Sequence, residues 1–134
     1  MPDGPTRVVQ LSRRKGSKRE PGVVVVDRST PWGNPFHAQR GRTRADAVAM
    51  YEDWIFSRSP FGGFDPVWVR DHVHELAGQT LGCWCPEDGP CHARVLARLA
   101  DAESVARDLA AASACSIDEA RRVVAATLEA FADG

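Results

Sequence analysis

The run VVVVD at residues 23–27 constrains the fold most. Four consecutive valines leave no polar face for an amphipathic helix and no alternation for a strand with one face in water. They suit a strand covered on both faces, and such strands belong to parallel or mixed sheets flanked by helices. Two other runs can join it. Residues 6–11 (TRVVQL) read as a first strand, and residues 76–85 lead into a central one.

Helical patterns fill the remainder. The spacing predicts a helix over 43–57, with Thr43 as cap, Asp46 at the capping-box position and Val48, Tyr51, Trp54 and Ile55 on one stripe. Asp65 and Pro66 start a second, with Val69, Val73 and Leu76 inward and Gly78 ending it. His72 and His74 flank Val73 and read as surface histidines. Between these helices, Gly62 and Gly63 read as a hinge. A third helix opens at Cys91 and His92 and continues through Val95, Leu96 and Leu99.

The fold class expected is α/β: a small three-layer sandwich with a mostly parallel sheet over residues 1–100. A helical pair over 101–134 is appended, carrying Val105 and Leu109 and then a Ser116/Glu119 capping box ahead of Ile117 and Val124. At 134 residues, 43% hydrophobic and 26% charged, the chain can bury a core without disulfides. No apolar run is long enough to cross a bilayer, and the opening MPDGPTRVVQLSRR lacks the apolar core of a signal peptide. A cytoplasmic protein of bacterial or phage origin, with no membrane partner, is the expectation.

Charge is lopsided. Residues 1–44 hold ten Lys/Arg against three acids, five of the basic residues lying in 13–19, whereas residues 45–134 hold seven against fifteen. This asymmetry fits either a basic end that meets a phosphate, a nucleic acid or a partner, or a solvated loop beside an acidic helical tail.

Two stretches carry candidate chemistry. RSTPWGNPF at residues 28–36 follows the valine strand at its carboxyl end, where open α/β sheets place ligands. There Arg28 is a candidate phosphate contact, Trp32 a stacking surface, and Gly33 and Asn34 ligand contacts. The alternative is that Trp32 and Phe36 plug the core edge while Asn34 shapes a turn. The second stretch is TLGCWCPEDGPCHARVLARL at residues 80–99, a strand, a loop and a helix start with Cys83, Cys85, Cys91 and His92 at the joint. Three of the four cysteines crowd there, which points to a metal or a reactive thiol more than to a disulfide framework.

Two readings of the joint stay open. Cys83, Cys85, Cys91 and His92 can make a zinc site, although Cys-x-Cys-x5-Cys-His departs from the usual knuckle spacing and adjacent helical residues diverge by about 100°. Alternatively the joint is a pocket in which Cys85 or Cys91 is the nucleophile, activated by the helix N-terminus, with His92 as acid or base and Arg94 nearby. A phosphotyrosine-phosphatase loop is disfavoured, because Cys91 stands where its Arg would be.

The motifs PWGNPF at 31–36, LGCWC at 81–85 and PCH at 90–92, with Tyr51 and Trp54 between them, closely resemble the small bacterial and phage proteins grouped as domain of unknown function 4326. The likeness spans residues 6–100. The Cys-x5-Cys-His-x-Arg end is also similar to domain of unknown function 488, which implies an α/β sandwich with a pocket at this joint. Where the first family has a small or acidic residue after the His, Ala93 and Arg94 stand here. The resemblance implies a fold and a site, and no activity.

The function expected is a small enzyme acting on a nucleotide, nucleoside or nucleic-acid substrate, with Cys85, Cys91 and His92 catalytic and Arg28, Trp32, Gly33, Asn34 and Arg94 binding. The alternative is a non-catalytic module, with or without structural zinc, that binds nucleic acid through its basic part or a protein through residues 101–134.

Overall fold

Among the described residues, three short strands make one parallel sheet. They are β1 (Arg7–Gln10), β2 (Val23–Val25) and β3 (Thr80–Cys83), in the order β1-β3-β2. The computed structural model describes residues 6–11, 22–84, 91–113 and 115–132, with side chains given through residue 126. Val8 and Val24 flank Leu81 across the sheet, so alternation puts all three on one face. The valine run is an edge strand, not the doubly covered one its composition suggests. Its three strand residues are half-buried, and the fully enclosed valine is Val26, one residue past the last strand position.

Among the described residues, four α-helices accompany the sheet: α1 (Arg44–Trp54), α2 (Pro66–His72), α3 (His92–Ser113) and α4 (Ile117–Ala132). Thr43 caps α1 through the expected box, its Oγ1 accepting from the Asp46 N–H while the Asp46 carboxylate accepts from the Thr43 N–H, each at 3.0 Å. Asp65 caps α2 by accepting from the Val67 N–H at 3.0 Å, with Pro66 at the first helical position. Tyr51 and Ile55 from α1, Val69 from α2, Leu81 from β3 and Leu96 from α3 share one core with Val26.

Past His72 the chain tightens into a 3₁₀ turn over Val73–Leu76, which alters the fate of the two histidines. His72 stacks on Trp68 with ring centroids 4.4 Å apart, and its Nδ1 meets the Trp68 carbonyl at 2.8 Å. His74 has its Nδ1 enclosed. Neither is the plain surface histidine expected. Gly62 and Gly63, read as a hinge, instead form a tight turn with positive φ at both, closed by paired bonds between Phe61 and Phe64 at 2.9 and 3.0 Å.

The boundary expected at residue 100 falls inside α3, a continuous helix of 22 residues. Asp101, just beyond it, accepts from the Thr6 hydroxyl at 2.6 Å, and Thr6 Oγ1 accepts from the Gly78 N–H at 2.9 Å. One threonine thus joins the start of β1 to mid-α3 and to the turn before β3. The two C-terminal helices are held by Arg121, whose Nε and Nη2 donate to the two carboxylate oxygens of the buried Glu103 at 2.8 and 3.1 Å. That fork raises the already high Arg121 pKa further.

On the sheet face opposite Leu81, Gly82 leaves room for its neighbours. A Cβ there would fall 2.7 Å from Val23 Cγ1 and 2.8 Å from Leu11 Cδ2. Gly82→Ala must push aside both side chains in the middle of the sheet and is expected to cost about 1–3 kcal/mol. A lower urea midpoint with unchanged slope would show it; an unchanged midpoint would mean that Leu11 and Val23 move freely.

Candidate functional site

The carboxyl ends of β2 and β3 and the amino end of α3 meet at one edge of the sheet, the place where parallel sheets collect ligands. From β2 the chain runs into Val26 and Asp27; from β3 it runs into Cys83 and Trp84.

Asp27 links the two strand ends. Its Oδ1 accepts from the Ser29 N–H at 2.9 Å and from the Ser29 hydroxyl, and its Oδ2 accepts from Trp84 Nε1 at 2.8 Å. Burial alone would push its carboxyl up. The hydrogen bonds from the Ser29 hydroxyl, the Trp84 indole and the Ser29 N–H outweigh that and hold the carboxyl below its ordinary value. Trp84, pointing away from the core between two cysteines, stays 38% exposed.

His92 opens α3 and is 8% exposed. Its Nε2 lies 2.5 Å from the Val26 carbonyl oxygen, which can only accept, so Nε2 carries the hydrogen and a neutral ring keeps its lone pair on Nδ1. The ring also lies 5.4 Å from that of Tyr51, whose hydroxyl donates to the Trp32 carbonyl at 3.0 Å. Burial drives the Tyr51 phenol well above its ordinary value, so it is a fixed donor.

Residues 28–36 are bound chiefly to themselves. Trp32, 8% exposed, meets Trp68 edge-on at 4.8 Å. Asn34, 4% exposed, donates from Nδ2 to the Ala47 carbonyl at 3.1 Å and accepts at Oδ1 from the Phe36 N–H at 2.9 Å. A Cβ on Gly33 would lie 2.6 Å from Arg28 Cα. Arg28, though exposed, donates through Nε to the Asn34 carbonyl at 2.8 Å and through Nη2 to the Phe36 carbonyl at 3.1 Å. A turn with little main-chain bonding needs side chains to close it, and these residues supply them.

At the joint, Cys83 and Cys91 are 1% and 3% exposed with their sulfurs 2.8 Å apart. Cys85, the other proposed nucleophile, lies outside the described residues, as does the basic stretch at 13–19. Cys91 and the half-buried Arg94 line a cleft of about 570 Å³ on the α1 side of α3. Among the described residues, no three His, Cys, Asp or Glu side chains are grouped to hold a metal ion, and no helix is long and apolar enough to cross a membrane.

Sequence reasoning brings His92 and Cys91 to this edge and misses the Asp27–Trp84 pair. The signal for that pair was an acid ending one strand and a tryptophan out of phase with the core at the end of its neighbour.

Fold and site together define a small α/β protein with its polar residues gathered at the carboxyl end of a parallel sheet. The family model described as Domain of unknown function (DUF4326) matches residues 9–102, more than two thirds of the chain, and the protein belongs to that family. Comparison with curated proteins and with solved structures gives no match.

Because the Asp27 carboxyl is lowered in the folded protein, the stability it contributes is present above its ordinary value of 3.8 and is lost as pH falls through the lowered one. Asp27→Asn should therefore melt earlier than the parent at neutral pH, and the gap should close on acidification below that value. Thermal melts between pH 7 and pH 2 test this; a gap that persists in acid would mean that Asp27 acts through shape alone.

Proposed function

We propose that the carboxyl ends of β2 and β3 bind a nucleotide or nucleoside, and that the protein is a small enzyme acting on such a ligand or on nucleic acid. The observation that carries the reading is Trp84: exposed at the end of the central strand, its indole nitrogen fixed by the Asp27 carboxylate. An aromatic ring held in one pose stacks on any base with a gain of about 1–3 kcal/mol. Trp84 takes the stacking role that the sequence assigned to Trp32, and Trp32, Gly33 and Asn34 become the frame that positions Asp27. Arg28, exposed next to Asp27, and Arg94 in the first turn of α3 are the cations for a phosphate. Cys91, or Cys85, is the nucleophile, and the Nδ1 lone pair of His92 takes the proton.

A second reading, a non-catalytic module for nucleic acid or an acidic protein, is favoured by the ten basic residues among the first 44. Its binding would weaken steeply with salt and ignore the thiols.

Calorimetric titration with purine and pyrimidine nucleosides and their mono- and diphosphates tests the first reading. At least one should bind, and Trp84→Ala should weaken it by roughly 5- to 100-fold with little change in melting temperature. His92→Gln, which can still donate to the Val26 carbonyl, should keep binding and lose turnover. Binding that is absent across the panel, or indifferent to Trp84, would dismiss the nucleotide site.

A further inference from the structure

Two sulfur atoms touch where the central strand gives way to α3. Cys83 is the last residue of β3 and Cys91 immediately precedes α3, and their Sγ atoms are 2.8 Å apart within the core. Cys91 also borders open space. It lines the 570 Å³ cleft together with Thr6, Val8, Val48, Arg94 and Arg98. That cleft has room for a small molecule, and Arg94 and Arg98, the latter in an exposed 3.6 Å ion pair with Glu52, bring positive charge to its wall. The first-turn N–H groups of α3 add positive potential beside the Cys91 sulfur.

We propose that Cys83 and Cys91 form a reversible dithiol–disulfide site that exchanges with small anionic disulfides of the glutathione class. The Cys91 thiolate, approached from the cleft, attacks one sulfur of glutathione disulfide. A mixed disulfide forms on Cys91 and one glutathione thiolate leaves. Cys83 then attacks the Cys91 sulfur, and the second glutathione leaves as a thiol with the electron pair of the broken bond and the Cys83 proton. The cysteine pair loses two electrons and two protons, and one glutathione disulfide becomes two thiols. Reduced glutathione in excess drives the same steps backwards. In the oxidised form the end of β3 is tied covalently to the residue before α3. The site shares Cys91 and Arg94 with the nucleotide reading but does not rest on it, since neither step uses Asp27, Trp84 or His92.

The test equilibrates the full chain in mixtures of reduced and oxidised glutathione, quenches in acid, alkylates, and digests without reduction. A Cys83–Cys91 peptide pair should rise from under about a tenth to over about nine tenths of the molecules as the mixture becomes more oxidising, and vanish with dithiothreitol. Cys85→Ser and Cys115→Ser should keep that bridge, and Cys83→Ser should strand glutathione on Cys91. The wild-type chain carries the main readout, so a Cys83→Ser variant that fails to fold does not remove the test. Alkylation of both cysteines at every ratio, a bridge from Cys85 to either of them, or stoichiometric zinc protecting the sulfurs would overturn the proposal.

Discussion

The backbone ladder of β3 is the constraint on which this architecture depends. Among the described residues β1 and β2 do not bond to each other, and each finds its parallel partner in Thr80–Cys83. The first two strands are therefore incomplete until a segment some 55 residues or more along the chain lies between them, and loop-closure entropy opposes that arrival. The contacts that offset it are those of Leu81 and its neighbours. Leu81 is buried between Val8 and Val24 on one face, and Gly82 yields its space to Leu11 and Val23 on the other.

The same strand places the candidate site. Because β3 is central and parallel to both neighbours, its carboxyl end emerges beside that of β2, and Trp84 comes within reach of Asp27. The bond from His92 to the Val26 carbonyl then fixes the start of α3 over the strand end. Tyr51 passes this alignment on to the loop at residues 28–36 through the Trp32 carbonyl. Polar groups that look like ligand contacts in the sequence serve here as the joints of a frame, and the groups the frame holds outward are few.

Much of the fold was legible because local signals and packing agree. Thr43 with Asp46 and Asp65 with Pro66 mark helix starts by chemistry that operates within four residues. The parallel sheet followed from the valine run, yet its edge position did not, since composition records how apolar a strand is and not which neighbour it lacks. The continuity of α3 through residue 101 was hidden because Asp101 reads as a fresh start, whereas in the structure it accepts from Thr6. The site was half legible. Cysteine and histidine at a strand-to-helix joint are visible as types, but the burial of Trp32 involves Trp68, which arrives from α2.

The contact of Thr6 with Asp101 has a consequence for the family region as a unit. These residues lie just before the first and just inside the last position of the matched segment, 9–102, so its two ends are side by side. A unit whose entrance and exit coincide can be spliced into a surface loop of a host chain without stretching either, or carry added segments at both ends on the same side. The rest of α3 and α4 continue the chain from the point where it enters that unit.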